Sequence, residues 1–495
     1  METVPFQYEL RPELPNVYGT KDYREFRTIL LKMDEILIKS GLEHRLVSQV
    51  VNRHSDSFDE PRSSSPQNSC YRYKIVRHAL RCNIARHLTG ESYRLFSIRL
   101  ADSTLFRWFT GITSFGCRKA ISKSTLDRYE KYFDESQVAQ DVRACLAGLS
   151  DFDKAHTLGL NDPIDCSNVF MDTTCIKAHI HFPVDWVLLR DAARSLISAI
   201  KTIRAKGLKH RMITPHLLLK QMNILCIEMS HTRRKSHSNK QRKTLFRAMK
   251  KLSRCIAKHG ERYRDLLQER GHETDWTPLQ VQQVIRRLEN ILEQLPQAIK
   301  QAHERIIGER KVLSHKKLLS LYDKDARIII RGKAGSEVEF GQKFLLVEQS
   351  DGLILDWQLF NDLPTSDNQH LALILNRLEQ YYGALNSACA DRGFSSKEND
   401  ALLKGKNIYN AICSKSPRQF QEQCSTPRFL SLQTRRAQTE ARIGLFKNVF
   451  LGKPLRSRIT ENKRYAITWC VLTHNLWVLS RMAIADEQSR LDEAA

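Results

Sequence analysis

Long apolar runs are missing from this chain. The nearest candidate for a membrane span, Tyr465 to Ala485 around Trp469-Cys470-Val471-Leu472, is broken by His474, Asn475 and Arg481, so a buried helix is expected there instead. The first residues, Met1-Glu2-Thr3-Val4-Pro5-Phe6, lack both a basic n-region and an apolar h-region, and no secretion signal is expected. Twelve cysteines occur without one Cys-x-x-Cys pair, and Cys413 and Cys424 are widely spaced with no nearby His. That spacing argues against a zinc site and for reduced thiols in a cytoplasmic protein.

Acid is also scarce, and unevenly so. Residues 201–258 hold 17 Lys and Arg against the single acid Glu228, a net +16 out of the whole chain's +24. The densest part runs from His231 to Lys243 and includes Arg233, Arg234, Lys235, Arg242 and Lys243. A solvated helical face normally mixes signs. A block this one-sided repels itself unless it meets phosphates, where each neutralised charge releases a counterion. A polyanion, nucleic acid first, is therefore the expected partner, and a merely solubilising insertion is the alternative.

What is present fits a multi-domain soluble protein. A length of 495 residues leaves room for two or three domains. Residues 1–52 hold one helical segment, Lys21 to Val51, and residues 53–70, with Ser63-Ser64-Ser65-Pro66, form a linker. Residues 71–160 read as a helical, helix-turn-helix-like domain. Val76, Leu80, Ile84 and Leu88 recur at four-residue spacing before Gly90, a C′ stop. A later helix puts Leu126, Tyr129 and Phe133 on one side and Lys123, Arg128 and Lys131 away from it, a face that could approach DNA. Compact three-helix packing would give the same stripes. Residues 161–485 read as a mixed sheet with helices on both faces, interrupted by a helical insertion at 188–320, with a tail at 486–495. Its strands are Asn168 to Thr174, Arg327 to Arg331, Lys343 to Glu348 and Leu353 to Leu359, with turns at Gly335/Gly341 and Asp351-Gly352. A helix from Leu371 to Tyr382 leads to a weaker strand, Ala384 to Ala390.

Three acids stand out on these elements. Asp172 follows the apolar run Val169-Phe170-Met171, and Asp391 precedes Arg392-Gly393-Phe394, where Gly393 permits a sharp exit. Glu440 lies in the helical stretch Arg435 to Lys447, and at about 100° per residue Arg436, Glu440 and Lys447 fall within roughly 40° of one another. That ridge, roughly 16 Å long, could carry a phosphate backbone past a metal ligand. An ordinary amphipathic helix carries the same charges, and either Asp alone serves equally as a turn former or cap. Asp165, Asp185, Asp356 and Glu398 lie near the motifs and read as caps or loop acids, and His179 and His181 as packing or surface residues.

Together these motifs resemble those of DDE transposases of the bacterial insertion-sequence type. The resemblance rests on the Asp-Thr-Thr strand at Asp172, the Asp-Arg-Gly-Phe turn at Asp391, and the Arg-x3-Glu-x6-Lys helix through Arg436, Glu440 and Lys447. Arg331-Gly332-Lys333-Ala334-Gly335 through Lys343 and Leu100 to Phe109 extend it over roughly residues 75 to 480. Where many such enzymes have a Tyr three residues before the Arg, this chain has Gln433. The resemblance implies an α/β, RNase H-like core, with an N-terminal all-α domain and the basic insertion. It implies a catalytic and metal-binding triad of Asp172, Asp391 and Glu440, with Arg436 and Lys447 on DNA. The expected cofactor is two Mg²⁺ or Mn²⁺ ions, bridged by Asp172, which suit carboxylate ligands. The expected activity is cleavage at transposon ends and transfer of the freed 3′-OH into target DNA. The expected partners are double-stranded DNA (terminal repeats and target) and a second copy of the chain, with no membrane. An inactive DNA-binding relic and a nuclease without a joining step are the alternatives.

Overall fold

A computed structural model describes residues 13–14, 16, 18–55, 66–112, 120–232, 238–333, 336–361, 366–452, 455 and 457–494. Helices α1 (Lys21–Lys39), α2 (Leu42–Ser55), α3 (Pro66–Thr89), α4 (Tyr93–Asp102), α5 (Thr104–Thr110), α6 (Lys123–Glu130), α7 (Glu135–Gly148) and α8 (Phe152–Thr157) precede strand β1 (Asn168–Lys177). Four long helices follow: α9 (Asp185–Ala205), α10 (Pro215–His231), α11 (Ser238–Arg270) and α12 (Pro278–Ile306). The chain then forms β2 (Arg327–Lys333), β3 (Ser336–Glu348), β4 (Ile354–Leu359), α13 (Leu371–Tyr382), β5 (Ser387–Ala390), α14 (Lys397–Gly405), β6 (Tyr409–Ile412), α15 (Pro417–Cys424), α16 (Pro427–Leu445) and α17 (Thr460–Ala494).

The result is mixed α/β, with one open mixed sheet flanked by helices. Its order is β2-β3-β1-β5-β6, with β4 also paired to β3. β2 and β4 run antiparallel to β3, while β1, β5 and β6 are parallel neighbours. The chain divides into two compact units, Met1–Ile176 with Lys343–Ala495, and Lys177–Gln342.

In the first unit the N-terminal helices α1, α3 and α7 pack on α17, which also lies against β4. Asn475 pins that last contact: its Oδ1 accepts the Ile354 N–H at 2.9 Å and its Nδ2 donates to the Ile354 carbonyl at 2.9 Å. Of the polar residues that interrupt the apolar run at 465–485, His474 and Asn475 are thus partnered inside the core, while Arg481 is exposed and lies over the Trp477 ring. Among the described residues no helix is long and apolar enough to cross a membrane. The four-residue spacing before Gly90 ends α3 as expected. Gly90 has φ 62°, and a Cβ there would meet the Val449 carbonyl oxygen at 2.1 Å, so no larger residue fits.

Three expectations differ from the fold. The single helix expected from Lys21 to Val51 is two, because Gly41 at φ 67° breaks it between α1 and α2. Gly341 is no turn: it sits within β3, paired with Arg327, so that third strand is longer than its apolar half suggests. Asp185 and Asp356 are neither caps nor loop acids. Buried Asp185 is held by Gln301 (2.9 Å) and Arg305 (2.7 Å), and Asp356 within β4 by Arg143 (2.8 Å) and Arg377 (2.6 Å). Charge buried in a strand is stable only when partnered, and the arginines that do so are remote in sequence.

In the second unit α9, α10, α11 and α12 bury a core of their own, including Leu189, Ile200, Met222, Phe246, Tyr263 and Leu295. His181 is tied there to Asp191 (Nε2 to Oδ2, 2.7 Å), whereas His179 is exposed.

Candidate functional site

Strand register brings the two aspartates side by side. β1 and β5 pair in parallel as Asn168 with Ser387, Phe170 with Cys389, and Met171 with Ala390. The next residue on each is Asp172 and Asp391, on strands spaced about 4.8 Å apart. Because side chains alternate, Phe170 and Asp172 share one face of β1, as Cys389 and Asp391 share one face of β5. That face is identified by its packing: Phe170, Cys389 and Ala411 form an apolar cluster with Phe429 at the start of α16. Just beyond this cluster, the same face presents the two carboxylates.

Helix α16 is laid across them. Its first turns are fastened to β5 and β6 by Gln433, whose Nε2 donates to the Ala411 carbonyl at 2.6 Å and approaches Cys389 Sγ at 3.3 Å. At the far end Lys447, just past α16, donates from Nζ to Thr174 Oγ1 at 3.1 Å. Thr174 lies two residues after Asp172 and therefore on the same face of β1. Glu440 sits on the stretch of helix between these two anchors. It is exposed and makes no hydrogen bond or ion pair among the described residues.

The ridge through Arg435, Thr439 and Arg442 does different work. Arg435 stacks over Phe170 with its guanidinium carbon 4.7 Å from the ring centre, pairs with the buried Glu348 (2.9 Å), and donates to the Ser350 carbonyl (2.6 Å) and the Gln349 carbonyl (2.8 Å). Thr439 Oγ1 donates to Glu348 at 2.7 Å, and Arg442 to the Asp351 carbonyl at 2.6 Å. This ridge clamps the β3–β4 turn. Its neighbour Arg436 is held only through Nε, which donates to Gln433 Oε1 at 2.9 Å, and its Nη1 is buried without a hydrogen-bond partner.

The electrostatics follow from this placement. Burial, with the Asp391 carboxylate beside it, pushes the Asp172 carboxyl up to about 6. Glu440 pushes the same way, while the Thr173 N–H and Arg436 pull it back. Asp172 Oδ1 accepts the Thr173 N–H at 2.7 Å and Asp391 Oδ1 the Gly393 N–H at 2.9 Å, leaving the second oxygen of each without a hydrogen bond among the described residues. Gly393 is required here: a Cβ would stand 2.8 Å from Asp367 Oδ2 and 3.0 Å from Asp391 Oδ1. No group of three His, Cys, Asp or Glu side chains that could hold a metal ion is found among the described residues. In chemistry alone, the paired Asp172 and Asp391 carboxylates, each with an oxygen lacking a hydrogen bond, are the kind of donor a hard divalent cation takes.

Two acids close to this site were not singled out by their sequence context. Glu348 ends the apolar run of β3, and its partner arginine is 87 residues away. Asp367 accepts from Thr173 Oγ1 at 2.9 Å and pairs with Lys343. The other nearby acids lie elsewhere: Asp165 accepts from the Ser167 N–H at 2.8 Å, as a turn former does, and Glu398 is exposed in the first turn of α14.

The expected DNA contacts fall into three groups. Arg233, Arg234 and Lys235 lie outside the described residues. Arg242 and Lys243 face other side chains: Arg242 lies over Trp186 at 5.8 Å and Lys243 pairs with Glu309 at 2.7 Å. Arg128 is exposed, with Lys123 and Lys131, opposite the buried Leu126, Tyr129 and Phe133. A long cationic surface lies on α11, where Lys240, Arg247, Lys251, Arg254, Lys258 and Arg262 are all exposed. At about 100° per residue they fall within roughly 80° of one another, over about 33 Å. None of them forms an ion pair with an acid among the described residues, although Arg262 reaches His210 at 3.1 Å. Their 3-4 spacing was present in the sequence, hidden by the still denser cations before them.

Comparison of the chain with protein-family models, with curated proteins and with solved structures finds no match.

Proposed function

We propose that this chain is a DNA transposase of the DDE type, with an RNase H-like core, acting on double-stranded DNA as a dimer or larger assembly. One observation carries the reading. Asp172, midway along β1, and Asp391, at the end of the adjacent parallel strand β5, share one face, and the helix crossing that face carries Arg436 and Glu440 and leads to Lys447, bonded beside Asp172. The strand order, with the acid-bearing β1 in the middle of the sheet and β5 parallel to it, supports the RNase H-like assignment. The cationic face of α11 supports a duplex partner, since about 33 Å spans roughly ten base pairs at 3.4 Å each.

Asp172, Asp391 and Glu440 would hold the divalent ions, Mg²⁺ or Mn²⁺. When bound, these supply charge to activate an attacking oxygen and to stabilise the leaving one. The chain's own residues do the rest. Half-buried Asp172 keeps its proton up to about pH 6, so the carboxylate set is fully charged only above that. Arg436, with its plane fixed by Gln433 and its Nη1 unpaired, would turn its guanidinium to a phosphate oxygen. Lys447 sets a second cation on the far side of Glu440. Water, and then the released 3′-OH, is the nucleophile, and no covalent protein–DNA bond is required.

The test is Mg²⁺-dependent nicking and joining of labelled DNA ends flanking the gene, with wild type beside Glu440→Gln. Wild type should nick and join. The variant should bind the ends normally and lose both reactions by at least about a thousandfold, the scale expected for a group stabilising transition-state charge. Unchanged activity in the variant would remove Glu440 from the site. An inactive wild type would leave a DNA-binding relic, and nicking without joining a nuclease.

A further inference from the structure

Helix α10 carries an unpartnered seam. Ile213, just before it, and Leu217, Ile224 and Ile227 on it are 61, 47, 46 and 57% exposed. With Lys220 and His231 they recur at intervals of 4, 3, 4, 3 and 4 residues, the spacing of a coiled-coil stripe. The opposite side of the helix (Leu218, Met222, Cys226, Met229) is buried in the four-helix core, so the seam is not a misplaced core face.

We infer that this seam is a homotypic interface, in which α10 packs antiparallel on α10 of a second copy about a two-fold axis at Ile224. Charge selects the occupant. The surrounding block is so cationic that two copies repel almost everywhere on it. Residues 221–232 contain no Lys or Arg and include Glu228, the block's only acid. With residues 212–219, also free of Lys and Arg, it makes α10 the part of the block that a like-charged copy can approach, Lys220 being its one cation. Lys220 and Glu228 are exposed, flank Ile224 by four residues on either side, and make no ion pair among the described residues. An antiparallel pair centred on Ile224 sets each Lys220 against the other copy's Glu228, giving two ion pairs, and opposes the two helix dipoles. A parallel pair would set Lys220 against Lys220.

The inference does not depend on the DNA chemistry and is tested without DNA. In the full chain with the exposed Cys255 changed to Ser, Ile224→Cys places a thiol on the proposed axis. Mild oxidation should give a disulfide-linked dimer. Arg262→Cys, exposed on α11, should give at least tenfold less. Adding Lys220→Glu or Glu228→Lys to the Ile224→Cys chain should lower its cross-linking about tenfold, and the two together should restore it. Equal cross-linking of the Ile224→Cys and Arg262→Cys chains, or no rescue by the double exchange, would overturn the interface.

Discussion

Helix α16 has two charged ridges that differ in one respect. The ridge of Arg435, Thr439 and Arg442 has its cations met, chiefly by Glu348 and the carbonyls of the β3–β4 turn, although Glu348 Oε2 is itself buried without a hydrogen bond. The ridge of Arg436 and Glu440 leaves a guanidinium nitrogen and a carboxylate without partners, one residue further round the same helix. Adjacent residues of identical type, Arg435 and Arg436, thus differ in their partners: Arg435 is tied into the β3–β4 turn, and Arg436 is held only by Gln433. Buried charge is normally paired because an unpaired group costs stability. Glu440 is exposed to water, so on this ridge only the buried Arg436 Nη1 goes against that rule.

The sharpest way to break this contrast is on the closed ridge. Arg435→Met leaves Glu348 buried with its best partner gone, which should cost about 3–5 kcal/mol. Replacing both, Arg435→Met with Glu348→Leu, should recover most of the loss, because removing a buried pair whole is far cheaper than halving it. Urea unfolding of the two variants measures this. If Arg435→Met unfolds at the wild-type midpoint, the ridge is not structural and the division of labour fails.

The open ridge gives the opposite sign. An ordinary aspartate titrates near 3.8, and folded Asp172 at about 6. The folded state therefore holds this proton more tightly than the unfolded state. Stability from this group is full below about pH 4 and is lost as pH rises through about 6, a penalty on the order of 3 kcal/mol. Asp172→Asn abolishes the charge and should melt higher than wild type at pH 7.5 in chelator, with no difference at pH 4. Mg²⁺ should raise the melting temperature of wild type and not that of the variant. A stabilising effect of Mg²⁺ equal in both would place the ion elsewhere.

The contrast also accounts for what the sequence could show. Local signals survive well: the apolar run ending at Asp172, the helix from Leu371 to Tyr382, and the helical phase of Arg436, Glu440 and Lys447 all depend on neighbours a few residues away. Pairings across long separations do not. Nothing around Glu348 announces Arg435, and nothing around Asp356 announces Arg143, 213 residues earlier. Gly341 looked like a turn because a lone glycine in polar surroundings is locally indistinguishable from one inside a strand edge. On α11 the exposed stripe was obscured because a block rich in cations everywhere gives no periodic contrast until the core face is known.

Gln433 stands between the two ridges and should show the smallest effect and the most informative one. Its amide nitrogen fastens α16 to the Ala411 carbonyl, and its amide oxygen orients Arg436. Gln433→Leu removes both bonds, and should cost about 1 kcal/mol of stability and lower the rate of nicking severalfold. Gln433→Glu keeps an acceptor for Arg436 but loses the donor to Ala411. It should share the stability loss while retaining more of the activity. Introduced into an Arg436→Ala chain, Gln433→Leu should lower nicking no further, because the residue it positions is already gone. An additive loss there would mean that Gln433 acts through the packing of α16 as a whole, and the two ridges would be one structural unit rather than two.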